Sequence, residues 1–582
     1  MTDTVTGLFA RQVMAHPDNP AVIDDEGVLT YRELAARATA VAAVVRRHSG
    51  DRPVGLLCRH GGVMIAGMLG VLLAGRPYVP LDPTFPEGRL AYQLSDSGAD
   101  LLLTDDPGHP LAASARRVVE IDPVLAGASE VDIEGPAGPD DLAYLLYTSG
   151  STGWPKGVWQ NHRNVVFAAH NHIRNRAITP ADRTSVLTAF GFDMSVTDTY
   201  SALLSGAAAA PIDIRRHGLA GLADLLADRG VTIYHSTPTV YRYLVASLGE
   251  RRLSDIRVVL LGGEDVTARD VRLCRQHFGS DCVFVNGYGA TEVSFIAQNP
   301  ITGPAPEDGP LPIGRPLPGL EVRLVGPDAP ASGEILVRSK HVALGYHGRE
   351  DDTKFGVLDG ERTYRTGDLA RWLPDGTLAF LGRADRQVKI RGYRVELGEV
   401  ESRLADVPGV AQAAVIARPA GPHGELELVG YVVTSGDADT GALRDVLPDY
   451  MVPRVIVPLA ELPLTVTGKL DVAALPEPEA SPTAEPAAEH DLIAEAWRQV
   501  LGLPSVGPDD HFLEVGGHSL QMGLVQQRLE RSLGRRLPMA TLFAYPTIRS
   551  LAAHLSGASE GPEPVAGRAA LRRQARARRV GR

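Results

Sequence analysis

The chain has 582 residues, enough for about four folding units at roughly 150 residues each. Apolar residues make up 44% and charged residues 22%, with 61 glycines and 43 prolines; these are globular values that exclude a collagen, a low-complexity chain and an acidic disordered solubiliser. The 58 basic against 70 acidic residues leave a net charge of −12, the wrong sign for binding nucleic acid over the whole surface, and no nucleic-acid partner is expected.

In chain order, the start from Met1 to Val5 has no basic region before an apolar one, so no secretory leader is expected. The uncharged run Gly61 to Gly75 is far short of the roughly 20 residues a membrane span needs and reads as a buried helix, so no membrane association is expected. Cys58, Cys274 and Cys282 are too few and too irregular for a disulfide framework or a structural zinc site, which fits a reducing, cytoplasmic location. From about Ala21 to Val325, β-type runs such as Arg257 to Leu261 and Val283 to Val285 alternate with helical stretches such as Leu219 to Ala227, a rhythm that predicts α/β layering. From Ser332 to Leu475 the segments shorten. Glu334 to Arg338, Val388 to Ile390 and Ala413 to Ala417 read as strands and Glu396 to Leu404 as a helix, giving a smaller α+β region.

Pro476 to Pro486 (PEPEASPTAEP) has four prolines, three glutamates and no aliphatic side chain larger than alanine. It reads as a linker, with a reach of roughly 34 Å if extended at about 3.1 Å per residue. Beyond it, Ile493, Trp497, Val500 and Leu501 share one helical face, Val525, Leu529 and Leu533 a second, and Ile548, Leu551 and Leu555 a third, so a helical bundle is predicted. The tail beyond Ser559 carries seven arginines from Arg568 to Arg582 and reads as a solvated, disordered tail, a docking or anionic-surface element being the other reading.

The most informative segment is Tyr147 to Gly157 (YTSGSTGWPKG), where a strand-like run opens into glycines and hydroxyls and closes on Lys156. Glycines let backbone N–H groups face a phosphate, hydroxyls add donors and a lysine supplies charge, so the loop suits polyphosphate. The GxxxxGK[ST] spacing of a Walker A loop is missing. A plain Gly/Ser turn is the other reading of this composition.

Further blocks accompany the loop: Leu29 to Leu34 (LTYREL), Leu73 to Pro83 (LAGRPYVPLDP), Phe192 to Ser195 (FDMS), Asn286 to Glu292 (NGYGATE), Gly333 to Ile335 (GEI), Tyr364 to Asp368 (YRTGD), Gly382 to Gly392 (GRADRQVKIRG) and Leu462 to Lys469 (LPLTVTGK). In this order they resemble the signatures of adenylate-forming enzymes, and the chain from residue 5 to 475 resembles the amino-acid-activating adenylation domain of nonribosomal peptide synthetases. The bundle after the linker, with Asp510 to Leu520 (DHFLEVGGHSL), resembles a peptidyl carrier domain. Read alone, Ser519 is a helix N-cap or a phosphate-accepting serine at a helix N-terminus. A nucleophile elbow is excluded because Gly517 to Gln521 lacks the second glycine of GxSxG.

The resemblance implies an α/β large lobe of adenylate-forming type at 1–384, a small α+β lobe at 385–475, a linker at 476–488, an all-α four-helix carrier bundle at 489–558 and the arginine-rich tail at 559–582. It implies ATP, Mg²⁺ and a 4′-phosphopantetheine attached to Ser519. Thr148, Ser149, Gly150, Ser151, Thr152, Gly153 and Lys156 would cradle phosphates. Thr291 would lie near the α-phosphate, and Glu292 would hold Mg²⁺. Asp368 would accept the ribose hydroxyls with help from Arg383, and Asn286, Tyr288 and Phe380 would lie near the nucleoside. Lys469 would be the catalytic cation bridging the substrate carboxylate and the α-phosphate, and Asp385 the hinge about which the small lobe turns.

Asp193 would pair with an α-ammonium, which points to an amino acid. The side-chain pocket would be lined by Met194, Thr197, His235, Leu260, Gly262, Gly287, Phe295 and Ile296. Thr197, where many members keep tryptophan, and the two glycines are expected to leave depth for a medium or large side chain. His235 would want a hydrogen-bond partner, either in the protein or in a substrate carrying a carboxylate, amide or hydroxyl. Ala290 stands for the family's usual proline, Phe380 for a frequent tyrosine, and Trp154 at a position where a bulky indole is uncommon.

The expected activity is ATP-dependent activation of an amino acid followed by loading onto the chain's own carrier. No HHxxxDG condensation motif and no thioesterase-like GxSxG is present. Separate partners are therefore expected: a phosphopantetheinyl transferase, and a downstream tailoring enzyme, transferase or synthetase module, with an MbtH-like activator as a further candidate. The alternatives are an acyl- or aryl-acid adenylating ligase, against which Asp193 and the fused carrier argue, and an inactive carrier scaffold loaded in trans, against which Lys156, Glu292, Asp368 and Lys469 argue.

Overall fold

The computed structural model describes residues 3–129, 131–150, 153–219, 221–304, 306, 309–349, 352–420, 425–434, 440–463, 470–477, 491–503, 505–512, 515–517, 519–533, 537 and 539–555. Continuous apolar runs in the first half form two sheets that are covered on both faces, the pattern expected of mainly parallel strands. One sheet has seven strands in the order Arg117–Glu120, Leu101–Thr104, Val54–Leu57, Tyr78–Pro80, Leu142–Thr148 (β1), Lys156–Asn161 (β2) and Gly345–Tyr346. It is parallel up to β1, and β1 and β2 then pair antiparallel around the glycine-rich loop. The other has nine strands: Gly27–Thr30, Pro20–Asp24, Ala208–Pro211, Arg183–Val186, Ile233–Ser236 (β3), Val258–Gly262 (β4), Val283–Ala290 (β5), Ser294–Ile301 (β6) and Arg315–Pro316.

Helix Gly62–Leu73, predicted from its uncharged run, is buried along its whole length. It shares one core with Leu56, Tyr144 and Leu146 of the first sheet and Ile233, Leu260 and Val285 of the second. Helices Glu87–Asp96 (α1), His162–Arg176 (α2), Asp193–Leu203 (α3) and Pro238–Leu248 (α4) complete the layers that carry the site. The α/β rhythm read from the sequence is therefore the architecture of the large lobe.

The shortening of segments after Ser332 marks two structures rather than one. Strands Glu321–Val325, Ser332–Arg338, Phe355–Leu358, Glu361–Trp372 (β7) and Leu378–Arg383 (β8) form an antiparallel sheet. Ile335, Val337, Tyr364 and Leu378 of this sheet pack with Tyr288 and Ile296, so it shares a core with β5 and β6 of the large lobe. The small α+β lobe follows. Hairpin Gln387–Ile390 (β9) and Tyr393–Glu396 (β10) leads into helix Leu397–Ala405 (α5), and strands Val410–Ala420 (β11), Glu425–Thr434 (β12) and Val455–Leu459 (β13) form its sheet. Val400 and Leu404, one turn apart on α5, pack on Val415 and Val432 of that sheet.

After residues 478–490, which lie outside the described set, Asp491–Leu501 (α6), Ser519–Leu533 (α7), Met539–Ala544 (α8) and Ile548–Leu555 (α9) form the all-α bundle. The predicted faces meet: Ile493, Trp497, Val500, Val525, Leu529, Ile548 and Leu551 lie in one cluster. The bundle rests on the large lobe through α7. Leu524 packs on the core beneath α4, and Gln527 Nε2 donates to Ser247 O at 3.2 Å. Among the described residues, no helix is long and apolar enough to cross a membrane.

Candidate active site

The glycine-rich loop leaves β1 at the end of the sheet, and the small lobe sits directly on it. Thr148 Oγ1 is buried with no hydrogen-bond partner among the described residues. Ser149 Oγ donates to Arg394 O at 2.7 Å and accepts from Glu396 N at 3.2 Å. Gly150 N donates to Glu399 Oε2 at 3.0 Å. Glu399 is itself buried and accepts from Arg89 of α1 at 2.7 Å. Gly153 has φ +83°, the left-handed region, and its carbonyl accepts from Arg403 Nη2 at 2.8 Å. Glu399, Ser402 and Arg403 are spaced i, i+3 and i+4, so one face of α5 covers the loop. Ser151 and Thr152 lie outside the described residues.

Lys156 closes the loop from β2, with its Nζ 4.3 Å from the centre of the Tyr346 ring. Burial lowers its ammonium to about 8, against the pull of Glu292. Glu292 accepts from Arg394 Nη1 at 2.8 Å and from Tyr346 Oη at 2.6 Å. Burial alone would raise its carboxyl, but Arg394 and Lys156 beside it hold it at about 2. Thr291, one residue before, fixes the turn by accepting from Gln160 Nε2 through its carbonyl at 3.0 Å.

A second group gathers where β5 meets β7 and β8. Tyr288 Oη donates to Asp368 Oδ2 at 2.5 Å, and Arg383 pairs with the other oxygen of Asp368. Phe380 stands 6.5 Å from Tyr288 between ring centres, and Asn286 Nδ2 donates to Pro312 O at 3.0 Å. Asp385, just past β8, accepts from Arg383 Nε at 2.7 Å. Tyr288, Asp368, Phe380 and Arg383 are thus neighbours, with Asp368 opposite Arg383 on the antiparallel partners β7 and β8, while Asn286 is held by Pro312.

Asp193 is the first residue of α3, and burial, followed by the charge of Glu292, pushes its carboxyl up to about 6. The turn of the β9–β10 hairpin lies over it. The Tyr393 ring is 4.9 Å from Phe192, and a Cβ at Gly392, where φ is +81°, would stand 2.1 Å from Thr237 Cγ2, so only glycine permits the hairpin to approach this closely. Met194 follows on α3, and Leu260 and Ile296 are fully buried on β4 and β6.

The pocket's depth differs from the sequence expectation. A Cβ at Gly287 would lie 2.4 Å from Phe295 Cε1, and one at Gly262 would lie 3.1 Å from Gly287 O. The space these glycines leave is therefore taken by the Phe295 ring and by neighbouring backbone. Beside Thr197 there is room for about one water molecule, in a small cavity lined by Tyr144, Gln160, Asn164, Thr197 and Ser294. His235 has its partner in the protein. Its Nδ1 is 2.7 Å from Asp198 Oδ1, and both residues are buried. Behind them, Arg176 is buried and burial lowers it to about 10.

Sequence reasoning did not single out Arg394, Glu399, Arg89 or Asp198. Arg394 stands two residues beyond the Gly382 to Gly392 block, and Asp198 five residues after Asp193 on α3; these positions were the available signals. Lys469 lies outside the described residues; the segment before it ends at Pro463, whose carbonyl accepts from Asp471 N at 2.8 Å. Ser519 opens α7.

A family model described as AMP-binding enzyme matches residues 9–347. The chain belongs to the AMP-binding enzyme family. A model of the AMP-binding enzyme C-terminal domain matches 399–469, and one described as phosphopantetheine attachment site matches 491–555. Gramicidin S synthase 2 of Brevibacillus brevis is 36% identical over 580 residues, 94% of this chain and 13% of its own length. Surfactin synthase subunit 3 of Bacillus subtilis is 34% identical over 97% of this chain and 46% of its own length. The chain thus spans less than half the length of these relatives. Holo-PA1221, an NRPS protein containing adenylation and PCP domains bound to a vinylsulfonamide inhibitor, is 27% identical with a TM-score of 0.79, covering 95% of this chain and 96% of that one.

Membership of the AMP-binding enzymes implies ATP with Mg²⁺, and the attachment domain implies a phosphopantetheine arm. The residues present fit the nucleotide and the ion: an unpartnered buried hydroxyl at Thr148, a lysine at Lys156 and a hard carboxylate at Glu292 kept ionised. Glu292 would hold Mg²⁺ together with the nucleotide's own phosphates.

Proposed function

We propose that the chain activates one amino acid with ATP and loads it onto its own carrier bundle. The observation that carries this is Asp193: a carboxylate that opens α3, next to the Phe192 ring on which the β9–β10 hairpin packs and near enough to Glu292 to feel its charge, suits the α-ammonium of a substrate whose carboxylate must react. The substrate carboxylate oxygen would form a bond to the α-phosphorus as the bond to pyrophosphate breaks. Catalysis of two anions meeting is mainly charge neutralisation and alignment. Thr148, Ser149, Gly150, Ser151, Thr152, Gly153 and Lys156 would hold phosphates, Thr291 and Glu292 would hold the α-phosphate region and Mg²⁺, and Lys469 would supply the bridging cation.

The seated small lobe suits the second step. Glu399 on Gly150 N and Arg394 on Glu292 occupy groups assigned to phosphate and Mg²⁺ in the first. We infer that Glu292 serves the ion when the small lobe is turned about Asp385 to bring Lys469 to the site, and serves Arg394 when α5 is seated on the loop. When attached to Ser519, the phosphopantetheine arm supplies the thiol that accepts the acyl group as AMP leaves. The lobe boundaries 1–384 and 385–475, the linker 476–488, the carrier 489–558 and the tail 559–582 belong to this reading. So do a phosphopantetheinyl transferase and a downstream module or tailoring enzyme as partners. ATP–pyrophosphate exchange with a panel of amino acids tests it. Exchange with one or a few acids that is lost in Lys469→Ala is expected, and exchange with aryl or fatty acids instead would turn the assignment to the acyl-ligase alternative.

A further inference from the structure

Trp154 contributes neither charge nor small size to the phosphate loop, yet its indole is the point where three elements meet. It stacks on Tyr92 of α1, with ring centres 4.6 Å apart and planes at 28°. The Arg403 guanidinium of α5 lies 4.1 Å from the centroid of the indole. Arg403 also donates to Gly153 O at 2.8 Å, and Tyr92 Oη donates to Pro155 O at 3.2 Å, so both neighbours of the indole also grip the loop on either side of it. The indole is 43% exposed, which rules out a role as core packing.

The two contacts differ in kind. Trp154 on Tyr92 lies within the large lobe and persists wherever the small lobe goes. Trp154 under Arg403 exists only while α5 covers the loop, and turning the small lobe about Asp385 breaks it. A contact present in one arrangement and absent in the other shifts the balance between them by its own free energy. From this geometry we propose that Trp154 is a positioning residue for acyl transfer: prebuilt on Tyr92 as a flat platform, it captures Arg403 and favours the arrangement in which α5 covers the phosphate loop. The proposal rests on the two-step reading above. It gives the uncommon indole of this loop a role through Arg403 rather than through phosphate.

The test compares two rates in full-length holo-protein: ATP–pyrophosphate exchange and loading of the carrier followed by intact mass, using whichever proteinogenic amino acid gives the fastest exchange with wild type. Trp154→Ala and Arg403→Ala are each expected to lower the ratio of loading to exchange by roughly fivefold to tenfold. The double variant is expected to be no worse than Arg403→Ala alone, which already loses the contact with the indole together with the bond to Gly153 O. Trp154→Phe, which keeps a ring on Tyr92 and under Arg403, is expected to restore most of the ratio. A wild-type ratio in Arg403→Ala overturns the proposal even if Trp154→Ala does not fold, and so does additivity in the double variant. Absence of exchange with every acid in wild type overturns the underlying two-step reading, and this proposal with it, whereas exchange with unchanged ratios overturns this proposal alone.

Discussion

The Glu292 carboxylate and the Arg394 guanidinium meet at 2.8 Å across the boundary between the large and small lobes, with Glu292 fully buried. A buried charge that loses its partner costs about 3–5 kcal/mol, so this pair is a strong discriminator between lobe arrangements. Arg394→Ala should therefore lower loading of the carrier more than pyrophosphate exchange, by about a hundredfold in their ratio, measured on the same preparation. An equal fall in both rates would contradict the assignment of Arg394 to the second step.

The pH dependence follows from two groups whose shifts converge. Burial, with the charge of Glu292 added, raises Asp193 to about 6, and the ionised form is the one that pairs with an α-ammonium, so substrate capture weakens as pH falls through about 6. Burial lowers Lys156 to about 8 despite Glu292, so its positive charge is lost as pH rises through about 8. A bell-shaped kcat/KM for exchange with limbs near these values is expected, since that parameter reports the free enzyme. In Asp193→Asn the acidic limb should disappear along with most of the activity.

Thr197 opens the cavity that also touches Gln160, Asn164 and Ser294. Thr197→Trp should fill it and lower exchange with the cognate amino acid at least about tenfold, while exchange with glycine or alanine falls less. Assay of the same panel on both proteins checks this. Unchanged exchange with the cognate acid would mean its side chain lies elsewhere.

Asp198→Ala leaves the buried His235 Nδ1 without its partner at 2.7 Å. The expected cost is about 1–3 kcal/mol in urea unfolding of the large lobe, with Asp198→Asn milder because an amide oxygen still accepts. Equal stability of Asp198→Ala and wild type would remove the structural role given to this pair.

The layering of the large lobe was legible because its strands are continuous apolar runs and its buried helix Gly62–Leu73 carries no charge. The bundle was legible because Ile493, Trp497, Val525 and Leu551 recur at helical spacing. Segment length alone puts the antiparallel sheet of β7 and β8 in the smaller α+β region, because short alternating strands look alike in either lobe, whereas the resemblance puts it in the large lobe at 1–384; its packing on Tyr288 and Ile296 is a tertiary fact that periodicity does not encode. In the site, the phosphate loop was legible from residue type and spacing, whereas Asp193 and Asp368 were named only through the resemblance to the family. Arg394, Glu399 and Arg403 were legible from neither, because an arginine or glutamate on a surface-patterned helix or hairpin gains meaning only when another lobe seats against it. Likewise Phe295, which the resemblance places in the pocket lining, occupies the room beside Gly287, a packing that residue type alone does not encode.

Self-loading of an activated amino acid is the central claim, and intact-protein mass spectrometry reads it directly. Holo-protein is incubated with ATP, Mg²⁺ and each amino acid in turn, beside a Ser519→Ala variant. A mass gain equal to one aminoacyl group with one or a few amino acids, absent in Ser519→Ala although that variant still exchanges pyrophosphate, is the predicted result. No gain with any amino acid on protein carrying its pantetheine arm, or an equal gain on Ser519→Ala, would contradict the account.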